Sequence, residues 1–173
     1  MIQRCIMIFP KFDNIELIEN IRSQFDPLYN HVAPHITLVF PFKSKLIARA
    51  IEEHLKEIIA DIRPFKIGLQ GISKEAHGFM FLNIVEGKDQ LIDLHHKLYQ
   101  GLLKEFYPDF LRADGYKPHL TVGRILNKAD LARTVEQYKT FEILFEDEVQ
   151  RISVEIIDEN EDSFIEMMIS LIE

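Results

Sequence analysis

Residues 34–42 read Pro-His-Ile-Thr-Leu-Val-Phe-Pro-Phe, and residues 118–126 read Pro-His-Leu-Thr-Val-Gly-Arg-Ile-Leu. Both stretches open on Pro-His-apolar-Thr-apolar, and the two histidines stand 84 positions apart. The chain has only four threonines, and two of them follow a histidine at this spacing. A β-branched and aromatic run bracketed by Pro34 and Pro41 reads as a strand. Side chains at i and i+2 of a strand share a face. His35 and Thr37 therefore point one way while Ile36 and Leu38 are buried on the other, and His119 and Thr121 do the same against Leu120 and Val122.

Working outward, each motif strand is followed by a helix and two strands. Ser44–Ile62 carries helical apolar spacing, with Ser44 as its expected cap, and Phe65–Ile72 and Phe79–Val85 read as strands joined through His77-Gly78. After the second motif come a helix over Lys128–Tyr138 and strands over Phe141–Phe145, Val149–Ile157 and Phe164–Ile172. Ile2–Phe9 reads as a buried strand, and Asn14–Phe25 and Asp89–Phe106 as helices. Alternating strands and helices with hairpins among them point to an α/β or α+β architecture with mixed or antiparallel sheets. With no Gly/Ser-rich linker to divide it, residues 1–173 read as one domain of two pseudo-symmetric lobes, with motifs at 35–38 and 119–122.

The chain of 173 residues is 47% hydrophobic and 28% charged, the balance of a folded globular protein. No apolar run reaches the ~20 residues that cross a bilayer, and the N-terminus lacks the pattern of a signal peptide. A cytoplasmic location is the resulting expectation. The lone Cys5 excludes an intrachain disulfide and a cysteine-built zinc cage, and in its apolar strand it reads as an inert core thiol. Net charge is −8, and residues 141–173 hold eleven acids against Arg151 alone. That distribution excludes a broad nucleic-acid-coating surface, which needs many cations to displace counterions from phosphates. A local site for one phosphate needs only a few donors.

Two histidines facing each other across a phosphodiester supply such a site. One neutral imidazole takes a proton from the attacking group while the other, protonated, gives one to the leaving oxygen. In-line displacement wants these groups on opposite sides of phosphorus. Thr37 and Thr121 would donate hydrogen bonds to the non-bridging oxygens. This scheme requires no metal or other cofactor, and the repeat leaves the acid and base roles interchangeable.

These residues resemble the 2H phosphoesterase superfamily, which includes the RNA 2',3'-cyclic phosphodiesterases also called 2'-5' RNA ligases. His35-Ile36-Thr37-Leu38-Val39-Phe40 is similar to the family's H-x-T-L-x-F form, and His119-Leu120-Thr121-Val122-Gly123-Arg124 to its H-x-T-[LV]-[AG]-R form. The resemblance runs over nearly the whole chain and is strongest to short bacterial members described only as phosphoesterases. It implies a bilobal α/β fold with pseudo-two-fold symmetry, sheets lining a central cleft with helices outside, and catalytic His35, Thr37, His119 and Thr121. It also implies a small phosphoester or RNA-terminus substrate, with reverse ligation as a further activity.

Further candidates surround the motifs. Lys43 shares parity with His35 but follows Pro41. Tyr116 and Lys117 precede the second motif and are placed to line the cleft mouth. Arg124 stands at odd parity from His119, so it points away unless a bulge re-aims it. Phe40, Phe42 and Tyr116 suit stacking on a base or packing in the core. Of the other histidines, His54 reads as surface, His95 and His96 as a solvated or half-buried helix face, His77 as a hairpin residue and His31 as a loop neighbour of the first motif. Three functions remain open: a metal-independent phosphoesterase acting on a cyclic phosphate or 2'-5' phosphodiester, a nucleotide- or RNA-end-binding module without catalysis, and a histidine-ligated metal hydrolase. The last lacks a recognisable carboxylate–histidine cluster. No helix marks a dimer seam.

Overall fold

The structure, a computed structural model, describes residues 1–172. In chain order its elements are β1 (Ile2–Ile8), α1 (Ile15–Phe25), β2 (Ile36–Ser44), α2 (Ala48–Ile58), β3 (Phe65–Lys74), β4 (Phe79–Glu86), α3 (Lys88–Leu98), α4 (Phe110–Asp114), β5 (His119–Arg124), α5 (Lys128–Gln137), β6 (Phe145–Val149), β7 (Arg151–Ile157) and β8 (Ser163–Ser170). Short 3-10 turns cover Ala76–Gly78 and Gly101–Phe106. The strands form one sheet in the order β6-β3-β4-β5-β2-β1-β7-β8, and every neighbouring pair is antiparallel. Of the mixed or antiparallel pairing that the sequence allows, the antiparallel form is the one present, in a single sheet. A strand–helix–strand sequence suggests a parallel crossover, but β1-α1-β2 and β4-α3-β5 each join adjacent antiparallel strands, because the helix and the loop after it return the chain to its starting end.

Counted outward from the centre, β2 and β5 match, then β1 and β4, β7 and β3, and β8 and β6. The units in equivalent places are therefore β1-α1-β2 and β4-α3-β5, not the strand–helix–strand–strand runs that follow each motif. The helix α2 carries the chain to the far half of the sheet, so β3 and β4 end up beside β5. The helices cross over in the same way: α1 packs on β5 and α3 packs on β2.

Ile36, Leu38, Leu120 and Val122 are wholly buried within the core that these helices cover. At about 1.5–3 kcal/mol per fully buried side chain, these four residues alone fix which face of β2 and β5 turns inward. Stripes on the helices complete the packing: Leu91, Leu94 and Leu98 on α3, Ile51 and Leu55 on α2, Ile18 and Ile21 on α1. Asn127 caps α5 by accepting from the backbone N–H groups of Ala129 and Asp130.

Between β2 and β5 only one rung forms, Ile36 opposite Leu120. Past it, aromatic side chains take up the free backbone groups of β2. The Tyr116 hydroxyl donates to the Thr37 carbonyl at 2.7 Å, His95 Nδ1 donates to the Leu38 carbonyl at 2.7 Å, and the Phe40 N–H donates to the Tyr99 hydroxyl at 2.9 Å. His95 also stacks on Tyr116, with ring centroids 3.8 Å apart. His95 is therefore wholly buried, where the sequence suggests a solvated or half-buried helix face. A histidine next to another on a polar helix looks exposed until a strand edge is found needing its proton.

Other boundaries shift for local reasons. Ser44 ends β2 and is buried rather than capping α2, which starts at Ala48 after Ile47. The expected helix over Asp89–Phe106 breaks at Gly101, whose positive φ of 54° suits glycine. The strand expected at Phe141–Phe145 lies instead over Phe145–Val149, alongside β3.

Candidate active site

Because Ile36 pairs with Leu120, continuing the register by one residue either way sets His35 across from Thr121 and Thr37 across from His119. Residues directly opposite in an antiparallel pair lie on one face, with Cβ atoms about 4.5–5.5 Å apart. All four motif side chains therefore converge on the face away from the helix-covered core. They are half-buried, enclosed but reachable.

Each imidazole is oriented by the same device. His35 Nδ1 donates to the Ala33 carbonyl at 2.9 Å, and His119 Nδ1 donates to the Lys117 carbonyl at 2.6 Å. A carbonyl only accepts, so Nδ1 carries the proton and Nε2 offers its lone pair to the site. The intervening Pro34 and Pro118 explain the repeat of the geometry. Proline fixes its own φ and keeps the residue before it extended, which holds that carbonyl in place.

The surroundings of the two histidines differ. His119 stacks on Phe81 at 3.4 Å between centroids and 11° between planes. His35 meets Phe9 in a tilted contact at 6.0 Å. Burial pulls His119 down to about 4, and a charge on His35 would depress it further, while the Lys117 carbonyl and Glu75 oppose. His35 is also lowered, first by burial and then by the Arg22 charge, against the Ala33 carbonyl and Asp26. Burial thus favours the neutral form of both rings. Arg22 is buried and grips the approach to His35: it bonds Asp26 at 2.7 Å, the Val32 carbonyl at 2.7 Å and the Leu28 carbonyl at 3.3 Å.

Matching bulges follow the two motifs. Thr121 and Gly123 pair with the consecutive residues Phe81 and Met80, leaving Val122 extra. Thr37 and Val39 pair with Met7 and Ile6, leaving Leu38 extra. The bulge on β5 flips parity, so Arg124, opposite Phe79, comes round to the histidine face. Its guanidinium lies over the Phe79 ring at 4.9 Å and donates through Nε to the His77 carbonyl at 3.3 Å.

The other candidates are distributed unevenly. Lys117 contributes the carbonyl that holds His119, and its ammonium lies 3.8 Å from Glu75. Tyr116 is buried against His95 and does not line the site. Lys43 is exposed near the far end of β2, opposite Gln3 and past two register shifts. Phe42 packs on Phe106 in the core, and Phe40 is covered by Phe110 and Tyr116. His31 pairs with Asp162 at 2.8 Å beside the His35 loop.

Sequence reading missed Phe81, Phe9 and Arg22, and also a second repeat. Ser73 lies opposite Phe81, and Ser153 opposite Met7, the rungs next outward from Thr121 and Thr37. Each serine donates to the glutamate two residues on, Ser73 to Glu75 and Ser153 to Glu155. Ser-x-Glu at 73–75 and 153–155 is present in the sequence, but only the sheet register shows the two to be equivalent.

Two hollows flank the histidines. One, of about 570 Å³, lies on the His35 side and is lined by Phe9, Tyr29, Val32, Ile165 and Met168, with Lys11 and Arg151 among its polar groups. The other, of about 740 Å³, lies on the His119 side among Lys74, His77, Arg124 and Lys128. Among the described residues, no three His, Cys, Asp or Glu side chains are grouped to ligate a metal ion, and no helix is long and apolar enough to cross a membrane.

The 2'-5' RNA ligase superfamily model matches residues 10–161. The chain belongs to that superfamily. Among the relatives of this superfamily member is a "Putative phosphoesterase" of Geobacillus kaustophilus, 31% identical, the match covering 84% of this chain and 83% of the relative. Another of the same name, from Oceanobacillus iheyensis, is 26% identical over 86% of both. The fold is that of Escherichia coli LigT, solved in complex with ATP, at a TM-score of 0.62 and 16% identity over 99% of both chains. It is shared by TT0787 of Thermus thermophilus, at 0.65 and 16% over 98% of this chain and 97% of that one.

Proposed function

We propose that the protein is a phosphoesterase that opens a cyclic phosphate, a 2',3'-cyclic nucleotide or RNA end, or cleaves a 2'-5' phosphodiester, by acid/base catalysis between His35 and His119 without a metal. The observation that carries this reading is the pair of imidazoles anchored through Nδ1 on neighbouring strands, which leaves each Nε2 free, with the Ile36–Leu120 register placing a threonine of the other motif opposite each histidine.

The chemistry follows from that arrangement. A phosphodiester seated over the Ile36–Leu120 rung has one imidazole on each side. The neutral Nε2 of one takes a proton from water as its oxygen bonds to phosphorus. The protonated Nε2 of the other delivers a proton to the ribose oxygen whose bond to phosphorus breaks. Thr37 and Thr121 donate to the non-bridging oxygens, where negative charge is held through the transition state. The proton that the pair lacks is taken up from solvent when substrate binds, since an anion between two depressed imidazoles raises their affinity for one. The apolar hollow beside His35, with Phe9 and Tyr29 on its wall, suits a base or sugar.

The relatives named phosphoesterases support this class of reaction, and the ATP complex of LigT supports a small nucleotide-like ligand for the fold. The test is hydrolysis of a panel of 2',3'-cyclic nucleotides and 2'-5'-linked dinucleotides in excess EDTA, on wild type and the His35→Ala/His119→Ala double variant. EDTA-resistant turnover that the double variant loses is the expected result. Turnover retained by that variant overturns the two-histidine assignment. Ligand binding without turnover would point to a binding module.

A further inference from the structure

The hollow on the His119 side has a composition that one scissile phosphate does not explain. Lys74 at the end of β3, His77 in the following turn, Arg124 at the end of β5 and Lys128 in the first turn of α5 converge on it, with Glu75 its only acid. The whole chain carries −8, so a cluster of three cations, Lys74, Arg124 and Lys128, with a histidine beside them runs against its general charge. Among the described residues, Lys74, Arg124 and Lys128 pair with no carboxylate. Arg124 is spent only on a carbonyl and an aromatic ring, leaving the rest of its fork free.

The walls are held in place before any ligand arrives. Gly78 has φ +86°, and a Cβ there would fall 2.4 Å from the Ile125 carbonyl oxygen. The Ile125 N–H donates to the Gly78 carbonyl at 2.8 Å, clamping the turn to the end of β5. His77 itself sits at φ 58°, an uncommon left-handed position for a residue with a side chain. Placement relative to the histidines is fixed by register. Arg124 lies opposite Phe79 and Thr121 opposite Phe81, two residues apart on β4, or about 7 Å along the strand, on one face.

From this we propose that the Lys74/His77/Arg124/Lys128 hollow is a second-phosphate subsite, and that the protein selects phosphoesters carrying a further phosphate group on the His119 side of the scissile one. Where the substrate is concerned, the inference rests on the phosphoesterase reading above. The hollow beside His35 also holds Lys11 and Arg151 beside Glu155, but it adds a wall of Phe9, Tyr29, Val32, Ile165 and Met168 that suits a base or sugar. The His119 side has three cations to one acid and no Phe or Tyr in its lining, which suits an anion. A 2',3'-cyclic nucleotide bearing a 5'-phosphate meets both demands, and so does a short oligonucleotide ending in a cyclic phosphate.

Two measurements on the full chain test this separately from catalysis. The first is calorimetric titration with inorganic pyrophosphate at low and raised salt, on wild type, Lys74→Ala/Lys128→Ala and His35→Ala/His119→Ala. Expected is a salt-sensitive affinity that falls at least ~10-fold in the lysine variant and persists in the histidine variant. The second is kcat/KM for a 2',3'-cyclic nucleotide with and without a 5'-phosphate, where the ratio should fall ~10-fold in the lysine variant. Pyrophosphate affinity equal in wild type and lysine variant overturns the subsite, whatever the turnover. Lysine-dependent affinity with no turnover on any phosphoester upholds the anion site and overturns the phosphoesterase reading instead. An unchanged kinetic ratio alongside lysine-dependent binding overturns the selection of two-phosphate substrates.

Discussion

Ile36 pairs with Leu120 across the one rung that joins the two halves of the sheet, and each occupies the other's place in the repeated motif. An antiparallel rung between equivalent residues puts a local two-fold axis between them. The axis sends His35 to His119 and Thr37 to Thr121, so each histidine faces the other motif's threonine. A repeat that appears in sequence as two separate sites becomes one site with two walls.

Replacing either histidine should disable that site as a unit. His35→Ala and His119→Ala are each expected to lower kcat/KM by ~10²-fold or more, and the double variant should fall far short of their product. Single-turnover kinetics on the best substrate of the panel checks this. Independent, multiplying losses would argue against a shared acid/base step.

The crossed arrangement makes a prediction that a side-by-side one does not. Thr121→Ala and Thr37→Ala should cost less than the histidine changes and act mainly on KM. In double-variant cycles on kcat/KM, His35 should couple more strongly with Thr121 than with Thr37, because the opposed pair is nearer than residues two apart on one strand, about 7 Å. Stronger coupling within each motif would mean that the strands do not share a phosphate as the register implies.

Binding of a substrate anion should draw a proton from solvent onto the histidine pair. Burial lowers both histidines, His119 to about 4, so near pH 7 the pair holds little positive charge. A bound phosphate favours the charged form of a neighbouring imidazole, and affinity should strengthen as pH falls from 8 toward 6. Calorimetry of a non-hydrolysable phosphate ligand in buffers of different ionisation heat should show uptake approaching one proton in wild type. That uptake should be lost in His35→Ala/His119→Ala.

The candidate site's face is legible in the sequence because period-two alternation and a rare residue pair at one spacing are local properties. Ile36, Leu38, Leu120 and Val122 declare the buried side, and His35, Thr37, His119 and Thr121 follow. Arg124 was harder, since its direction depends on whether Val122 is accommodated as a bulge, and that is decided by pairing with β4. His95 and Tyr116 were read wrongly for a related reason: what buries them is the unpaired edge of β2, a consequence of the sheet dividing there. Phe81 and the Ser-x-Glu pairs became visible only when register set them beside the motifs.

The aromatic plug along β2 has its own test. Tyr116→Phe keeps the ring stack on His95 but leaves the Thr37 carbonyl without its 2.7 Å donor. An unmet buried acceptor costs about 1–3 kcal/mol, so the urea midpoint should drop with the denaturation slope unchanged. A midpoint equal to wild type would mean that the carbonyl finds another partner.

Acid should weaken the fold, and the sign follows from the histidines. His95 is held down to about 4 by burial, against its hydrogen bond to the Leu38 carbonyl and with the neighbouring His96 charge adding to the effect. His119 is likewise near 4, and His35 is lowered too. The unfolded chain titrates its histidines near ~6.5. Above that value both states are neutral and the native contribution is fully present. As pH falls below it, the unfolded state takes up protons that the native state refuses, and stability is lost progressively toward pH ~4. His95→Gln removes one such group, and its amide can still donate to the Leu38 carbonyl. Its urea midpoints between pH 7.5 and 5 should therefore fall less steeply than those of wild type, even if they start lower. Parallel curves over that range would show that His95 is not one of the groups that couple folding to pH.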